Sequence, residues 1–200
     1  MRMFSRSICT TALATLAFGA TTLPASADQT PSGAPQNIVQ AEATDAHQVA
    51  QRSHVQVASF GGDNNDSTNA AIAYAHDCTG CHTVAVAFQA VLVTGQPSTA
   101  APENDAIVVN DHCTSCVGFA FAYQDVIATN GPARLSDDAN DKVHDIAEQA
   151  RALARSDLSP ADLNSALESL AAKFKQTVES GIVGAHQRGH DFERETVRRG

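Results

Sequence analysis

Apolar positions in the middle of the chain fall into two kinds of segment. Short apolar runs at residues 71–75 and 106–109 are bounded by turn-forming residues, a pattern that predicts buried strands. Each run is followed by an Ala-rich segment, residues 84–93 and 119–128, in which large apolar side chains recur with helical spacing. The same segments also alternate large and small residues, as a strand would. We predict helices there, because their length and alanine content suit a helix better.

Two longer stretches with helical spacing follow. In the first, acidic residues cluster at the start and basic residues at the end, and the apolar face consists of Val143, Ile146, Ala147, Ala150 and Leu153. The second opens with Ser159 and Pro160, a capping residue and a proline at the first helical position. Its apolar face consists of Leu163, Leu167, Leu170, Phe174 and Val178. These stretches predict a C-terminal helical hairpin.

The chain also matches itself internally. Residues 69–94 and 104–129 align without a gap at a shift of 35, and 11 of the 26 aligned positions are identical. The identities include all cysteines of two C-x-x-C motifs, Cys78, Cys81, Cys113 and Cys116. We therefore predict an α+β fold with a small tandem-repeat core, in which strand, C-x-x-C and helix occur twice, covered by the helical hairpin. A right-handed crossover would bring both motifs to one sheet edge.

Composition divides the chain into four regions. Residues 1–27 contain two arginines, an apolar stretch and a final Ala-Ser-Ala, which is the pattern of a secretory signal peptide. Residues 28–68 are polar with scattered apolar side chains and predict a disordered leader. The repeat core and the hairpin occupy residues 69–181. Residues 182–200 predict a charged tail.

The acidic charge limits the kind of partner. The formal net charge is −9 at pH 7, and cleavage of the signal peptide would remove two arginines and no acidic residue. A strongly acidic chain repels nucleic acid and anionic membranes, so we expect neither as a partner. We predict a periplasmic or secreted protein whose partner is an unknown protein or small molecule.

The four cysteines of the two motifs allow several chemistries. In an oxidising compartment they would form disulfides, either within each motif or between the motifs. We favour bonds between the motifs, because these would hold two weak halves together. Four thiolates at C-x-x-C spacing also suit a tetrahedral zinc site. A redox-active pair at a helix N-terminus is a further interpretation.

The first motif has an additional histidine. The C-x-x-C-H sequence at residues 78–82 resembles the haem-attachment motif of c-type cytochromes. The resemblance implies thioether bonds from Cys78 and Cys81 and His82 as the proximal iron ligand. The second motif has Val117 in place of the histidine, and both methionines lie in the predicted signal peptide, which weighs against a haem.

A wider pattern follows each motif, namely Ala-aromatic-Gln. It resembles a group of exported bacterial proteins that have duplicated C-x-x-C segments and no assigned activity, and this resemblance implies a shared fold and no particular substrate. Gln89 and Gln124 occupy matched positions within apolar segments and predict a pair of buried amides. We predict an exported, disulfide-stabilised binding or structural module without catalytic activity or cofactor. The alternatives are a monohaem c-type cytochrome and a zinc-binding module with four cysteine ligands.

Overall fold

The computed structural model describes residues 33–62, 64–95, 97 and 99–199. Within these ranges the chain forms eleven strands and two helices. In chain order they are β1 (Gln36–Ala43), β2 (Val49–Phe60), β3 (Asn64–Asn65), β4 (Thr68–Thr79), β5 (His82–Thr94), β6 (Thr99–Ala100), β7 (Glu103–Thr114), β8 (Val117–Thr129), β9 (Arg134–Leu135), α1 (Asp137–Ala154), α2 (Pro160–Gly181), β10 (Ile182–Val183) and β11 (Gln187–Arg199).

The long strands form three successive pairs, β1–β2, β4–β5 and β7–β8, which stack on one another. One sheet contains β1, β4 and β7, and the other contains β2, β5 and β8, with parallel neighbours in both. A turn within each pair takes the chain from the first sheet to the second. The register between the last two pairs is a constant 35 residues, as in the pairing of His76 with Asp111. Corresponding residues therefore lie next to each other across the strands.

The two sheets face each other across an interior of small side chains. The buried residues of this interior include Ala41, Ala43, Ala71, Ala73, Ala75, Ala85, Ala87, Ala106, Ala120 and Ala122. Because alanine side chains are short, the two sheets can lie close together. A larger side chain in this closely packed interior would therefore be destabilising.

The large apolar side chains lie on the opposite face of the β2–β5–β8 sheet. The rings of Phe88 and Tyr123 are neighbours with centroids 6.0 Å apart, and both meet the ring of Phe174 edge-on, at 5.8 and 6.2 Å. Ile146 from α1 and Leu167 from α2 are fully buried in the same cluster. The two helices therefore cover this face of the sheet.

The predicted helical hairpin is present as α1 and α2. Ser136 caps α1 by accepting a hydrogen bond from the backbone N–H of Ala139, and Ser159 caps α2 in front of Pro160. All residues predicted for the inner face of the second helix are buried, namely Leu163, Leu167, Leu170, Phe174 and Val178. Neither helix is long and apolar enough to cross a membrane.

The predicted fold class, with a small core of strand, C-x-x-C and helix repeated twice, is wrong. Residues 84–93 and 119–128 belong to strands β5 and β8, and parallel sheets make up most of the structure. Both faces of these strands are buried, one against the alanine interior and one against the hairpin. A strand that is buried on both sides is apolar at consecutive positions, so its large residues also match helical spacing.

Two regions that composition marks as irregular contain strands. The disordered leader predicted for residues 28–68 contains β1 and β2, and in β1 every second residue is buried. Three of the four exposed positions of β1 are polar, namely Gln36, Gln40 and Glu42, which accounts for part of the polar composition. The charged tail predicted for residues 182–200 contains β10 and β11, and β11 pairs antiparallel with β8. The predicted signal peptide, residues 1–27, lies outside the described residues.

Candidate functional site

Two stacked turns at one end of the strand pairs carry the cysteines. At the first turn, Cys78 lies near the end of β4 and Cys81 lies between β4 and β5; they are here called the inner pair. At the second turn, Cys113 lies near the end of β7 and Cys116 lies between β7 and β8; they are here called the outer pair. Cys78 and Cys113 are direct Cα partners in the parallel register. The strand register therefore continues into the turns and places one C-x-x-C motif beside the other.

The backbone reverses through two left-handed residues in each turn. Asp77 and Gly80 have φ values of 47° and 71°, and the matching His112 and Ser115 have 48° and 57°. Glycine adopts this conformation freely, and aspartate and histidine are found there more often than most residues. For Ser115 the same conformation is unfavourable. The two turns therefore follow the same backbone path, but the left-handed conformation is less favourable at Ser115 than at Gly80.

Backbone hydrogen bonds hold the two turns together. The N–H of Gly80 donates to the carbonyl of Thr114, and the N–H of Val117 donates to the carbonyl of Cys81, both at 2.8 Å. The side chain of Asp45, in the turn between β1 and β2, accepts a 3.0 Å hydrogen bond from the N–H of Thr79. All three turns are therefore connected.

The structure brings three of the four sulfur atoms into one cluster. Cys78 and Cys81 form a disulfide with a Cα–Cα distance of 6.0 Å, whereas Cys113 and Cys116 are free thiols. The Sγ atoms of Cys78, Cys81 and Cys116 all lie within 4.8 Å of one another. Disulfides between the two motifs, which we favoured from the sequence, are wrong for this structure, because the bond closes the first motif on itself.

The inner and outer pairs differ in exposure. Cys78 and Cys81 are only 4% and 1% exposed, whereas Cys113 and Cys116 are half-buried. The Cys116 thiol donates a hydrogen bond to the carbonyl of Cys78 at 3.5 Å. Burial raises the pKa of Cys113 to about 11, and the neighbouring Cys116 acts in the same direction. Cys113 is therefore protonated at neutral pH.

His82, the proposed haem ligand, begins β5 directly after the inner pair. It is half-buried, with Val49 of β2 and Val117 of β8 as its Cα partners. A haem of the c type uses both cysteines of its motif for thioether bonds. In this structure the disulfide occupies both of these sulfur atoms.

Ionisable side chains surround the turns. His76 Nε2 lies 3.0 Å from Glu42 Oε1, and its Nδ1 lies 3.4 Å from Asp77 Oδ2. The hydrogen bond with Glu42 and then that with Asp77 raise the pKa of His76. His112 Nδ1 lies 3.5 Å from an Asp111 oxygen and 3.7 Å from an Asp77 oxygen. The surface around the outer pair therefore carries exposed carboxylates with histidines between them.

The glutamines singled out in the sequence also come together. Gln124 Nε2 donates to Gln89 Oε1 at 2.7 Å, and Gln89 Nε2 donates to Gln56 Oε1 at 2.8 Å. Gln89 and Gln124 are fully buried. We call these three residues the glutamine row. The row contains the pair of buried amides, Gln89 and Gln124, and one further residue, Gln56 of β2.

A second series of buried amides, not predicted from the sequence, is here called the asparagine row. Asn37 Nδ2 donates to Asn69 Oδ1 at 2.8 Å, and Asn69 Nδ2 donates to Asn104 Oδ1 at 2.6 Å, with all three residues buried. Asn69 and Asn104 are identical at the shift of 35, so the internal match of the sequence already aligns these two members of the row. Asn37 and Gln56 precede their partners by 32 and 33 residues, so a comparison at a fixed shift overlooks the first strand pair.

Comparison of the chain with protein-family models, with curated proteins and with solved structures found no match. Chemically, the described residues offer a disulfide beside two free thiols, and two rows of buried amides.

Proposed function

We propose that this protein is an exported, non-catalytic structural or binding module, whose stacked strand pairs are stabilised by buried amide rows and by the inner disulfide. Its partner would be a protein or small molecule that contacts the solvent-facing side of the β1–β4–β7 sheet. The proposal includes neither a haem nor another cofactor.

The continuous glutamine and asparagine rows carry this proposal. Each row crosses all three strand pairs through the hydrogen bonds of Gln89 and Asn69 to both neighbours. A buried amide loses its hydrogen bonds if a strand shifts by one residue, so such rows favour a single register. Rows of this kind support a structural or binding role, because such a role depends on a rigid shape.

The outer face of the three-stranded sheet supports a binding role. Ile38 on β1 and Val109 on β7 are 57% and 40% exposed. Tyr74 on β4 is half-buried and is the Cα partner of Val109 on one side and of Glu42 on the other, so Ile38 lies four residues along β1 from this pair. These side chains lie on strands that are paired in one parallel sheet. Tyr74 and Val109 therefore form a neighbouring apolar pair on this face, and contiguous exposed apolar side chains are a feature of interaction sites.

The sulfur chemistry supports export. A disulfide persists in the periplasm or outside the cell and is reduced in most cytosols. The inner disulfide therefore agrees with the signal-like pattern of residues 1–27.

Intact-mass measurement of the protein purified from its native compartment tests these points together. We expect an N-terminus at Asp28, a mass without haem, and a gain of two hydrogens when the inner disulfide is reduced. An absorption band of haem near its Soret maximum, or a full-length chain with Met1 retained, would contradict the proposal.

A stability measurement tests the structural role of the inner disulfide. The double variant Cys78→Ser/Cys81→Ser should lose about 2 kcal/mol of unfolding free energy, the value that the chain-entropy estimate gives for so short a loop. The matched double variant Cys113→Ser/Cys116→Ser removes two free thiols and should change the unfolding free energy much less. Equal losses in urea unfolding would argue against a structural role for the disulfide.

The spacing of three sulfur atoms favours zinc binding as a second candidate function of the reduced protein. Zn–S bonds of about 2.3 Å place tetrahedral ligands nearly 4 Å apart, and the three Sγ atoms already lie within 4.8 Å of one another. Elemental analysis after reduction, dialysis against zinc and gel filtration should then give one zinc per chain. The oxidised protein is the control and should give none.

A further inference from the structure

The sulfur cluster has a disulfide and a free thiol at close range. Cys116 Sγ lies within 4.8 Å of both sulfur atoms of the Cys78–Cys81 bond. The other outer cysteine, Cys113, neighbours Cys116 within one C-x-x-C motif. An attacking thiol, a disulfide and a resolving thiol are the three components of thiol–disulfide exchange.

We propose that the two stacked turns form a thiol–disulfide relay, in which the outer pair exchanges with the inner disulfide and connects it to an external dithiol. This activity goes beyond the structural role proposed above and does not depend on it.

The exchange balances without an added oxidant. The Cys116 thiolate attacks one sulfur of the inner disulfide, a bond forms between Cys116 and that sulfur, and the other inner cysteine leaves as a thiolate. Cys113 gives its proton to the inner thiolate released in the first step, attacks Cys116, and releases the second inner cysteine as a thiolate. The S–S bond has moved to Cys113–Cys116, and the two protons of the outer thiols have moved to the inner pair. The outer pair is oxidised and the inner pair is reduced by two electrons.

The difference in exposure determines which cysteine pair an external dithiol reaches first. The inner pair is buried, and the outer pair is half-exposed at the rim of the same turn. An external dithiol therefore reaches the outer disulfide first, reduces it by the same exchange chemistry, and itself becomes a disulfide. The inner pair stores the disulfide, and the outer pair makes it available at the surface.

The surroundings of the outer pair select among external thiols. The Asp77 and Asp111 side chains are 76% and 53% exposed beside His112. These carboxylates disfavour an anionic thiol such as glutathione and favour a dithiol that is neutral or set in a basic surface. Salt should therefore accelerate exchange with glutathione more than exchange with dithiothreitol.

A pair of single-cysteine variants tests the relay in the otherwise intact mature chain, with EDTA present to exclude metals. Cys113→Ser keeps the attacking thiol but lacks the resolving one, so a bond between Cys116 and Cys78 or Cys81 should be present in equilibrium with the Cys78–Cys81 bond, and acid quenching should trap it. The matched Cys116→Ser variant should show only the Cys78–Cys81 bond. Acid quenching, alkylation of free thiols and peptide mass spectrometry locate the bonds, and circular dichroism verifies that both variants are folded.

A rate measurement on the same proteins gives a second readout. Reduction of the inner disulfide by dithiothreitol should be about tenfold slower in Cys116→Ser than in the wild-type chain, because the reductant must then reach a buried bond directly. Detection of the trapped bond or of this rate difference supports the relay. Absence of the trapped bond together with equal reduction rates overturns the relay. If a variant fails to fold, the wild-type chain is measured alone, and an inner disulfide that dithiothreitol reduces only after the chain unfolds also overturns the relay.

Discussion

Gln124 donates a hydrogen bond to Gln89 over 2.7 Å, although 35 residues separate them in the chain. Both side chains are buried between the two sheets, and Gln89 donates in turn to Gln56. The central glutamine therefore links all three strand pairs through one side chain.

Substitution of the central glutamine should destabilise the stack. Gln89→Met keeps the length of the side chain but removes the buried hydrogen bonds to Gln56 and Gln124, and we expect a loss of about 2 kcal/mol in unfolding free energy. The exposed Gln40 on β1 provides the control, since Gln40→Met should cost less than about 0.5 kcal/mol. Urea unfolding followed by circular dichroism measures both.

A double variant separates the hydrogen bond from other effects. In Gln89→Met/Gln124→Met both partners of one hydrogen bond are replaced by apolar groups, so the combined loss should be smaller than the sum of the single losses by about 1 kcal/mol. Strict additivity would mean that the two amides are not energetically coupled.

The second turn should gain stability from glycine. Ser115 has a φ of 57°, a conformation that costs an L-residue about 1 kcal/mol or more. Ser115→Gly is therefore expected to stabilise the protein by about 0.5 kcal/mol after the extra flexibility of glycine in the unfolded chain is included. The reciprocal Gly80→Ser should destabilise it, and no atom lies close enough to a new Cβ at Gly80 to add a clash. Thermal unfolding that changes in the same direction for both variants would contradict this.

Alkylation of Cys113 should depend steeply on pH. Burial and the neighbouring Cys116 raise the pKa of Cys113 to about 11, and only the thiolate reacts with iodoacetamide. The rate at Cys113 should rise about tenfold per pH unit between about pH 7 and 9. In Cys116→Ala the pKa of Cys113 should be lower, so alkylation at a given pH should be faster. A rate plateau below pH 9 in the wild-type chain would contradict the raised pKa.

His76 should make stability depend on pH. Its pKa is raised above the ordinary 6.5, mainly by the hydrogen bond with Glu42. A histidine with a raised pKa in the folded state stabilises that state fully below its unfolded pKa, and this contribution is lost as the pH rises through the folded value. An NMR titration should show a lower His76 pKa in Glu42→Gln and an unchanged one in Glu103→Gln, a control on β7. An unchanged pKa in Glu42→Gln would exclude Glu42 as the cause.

The wrong predictions for residues 84–93 and 28–68 have a common physical origin. Local spacing cannot distinguish a helix from a strand that is buried on both faces, and residues 84–93 match both patterns. Composition likewise suggests disorder for residues 28–68, because β1 buries only alternate side chains and relies on β4 for its backbone partners. In each case the deciding contacts come from a neighbouring strand more than 30 residues away.

The sequence alone determined the two C-x-x-C motifs, the matched glutamines, the helical hairpin with its caps, and the acidic charge, because these depend on residue identity and on local spacing. Only the tertiary structure decided that the matched segments are strands, that Asn37 and Gln56 join the amide rows, and that the disulfide closes the first motif. Those features depend on stacking: parallel strands in register place distant residues side by side, and this proximity cannot be read from local pattern.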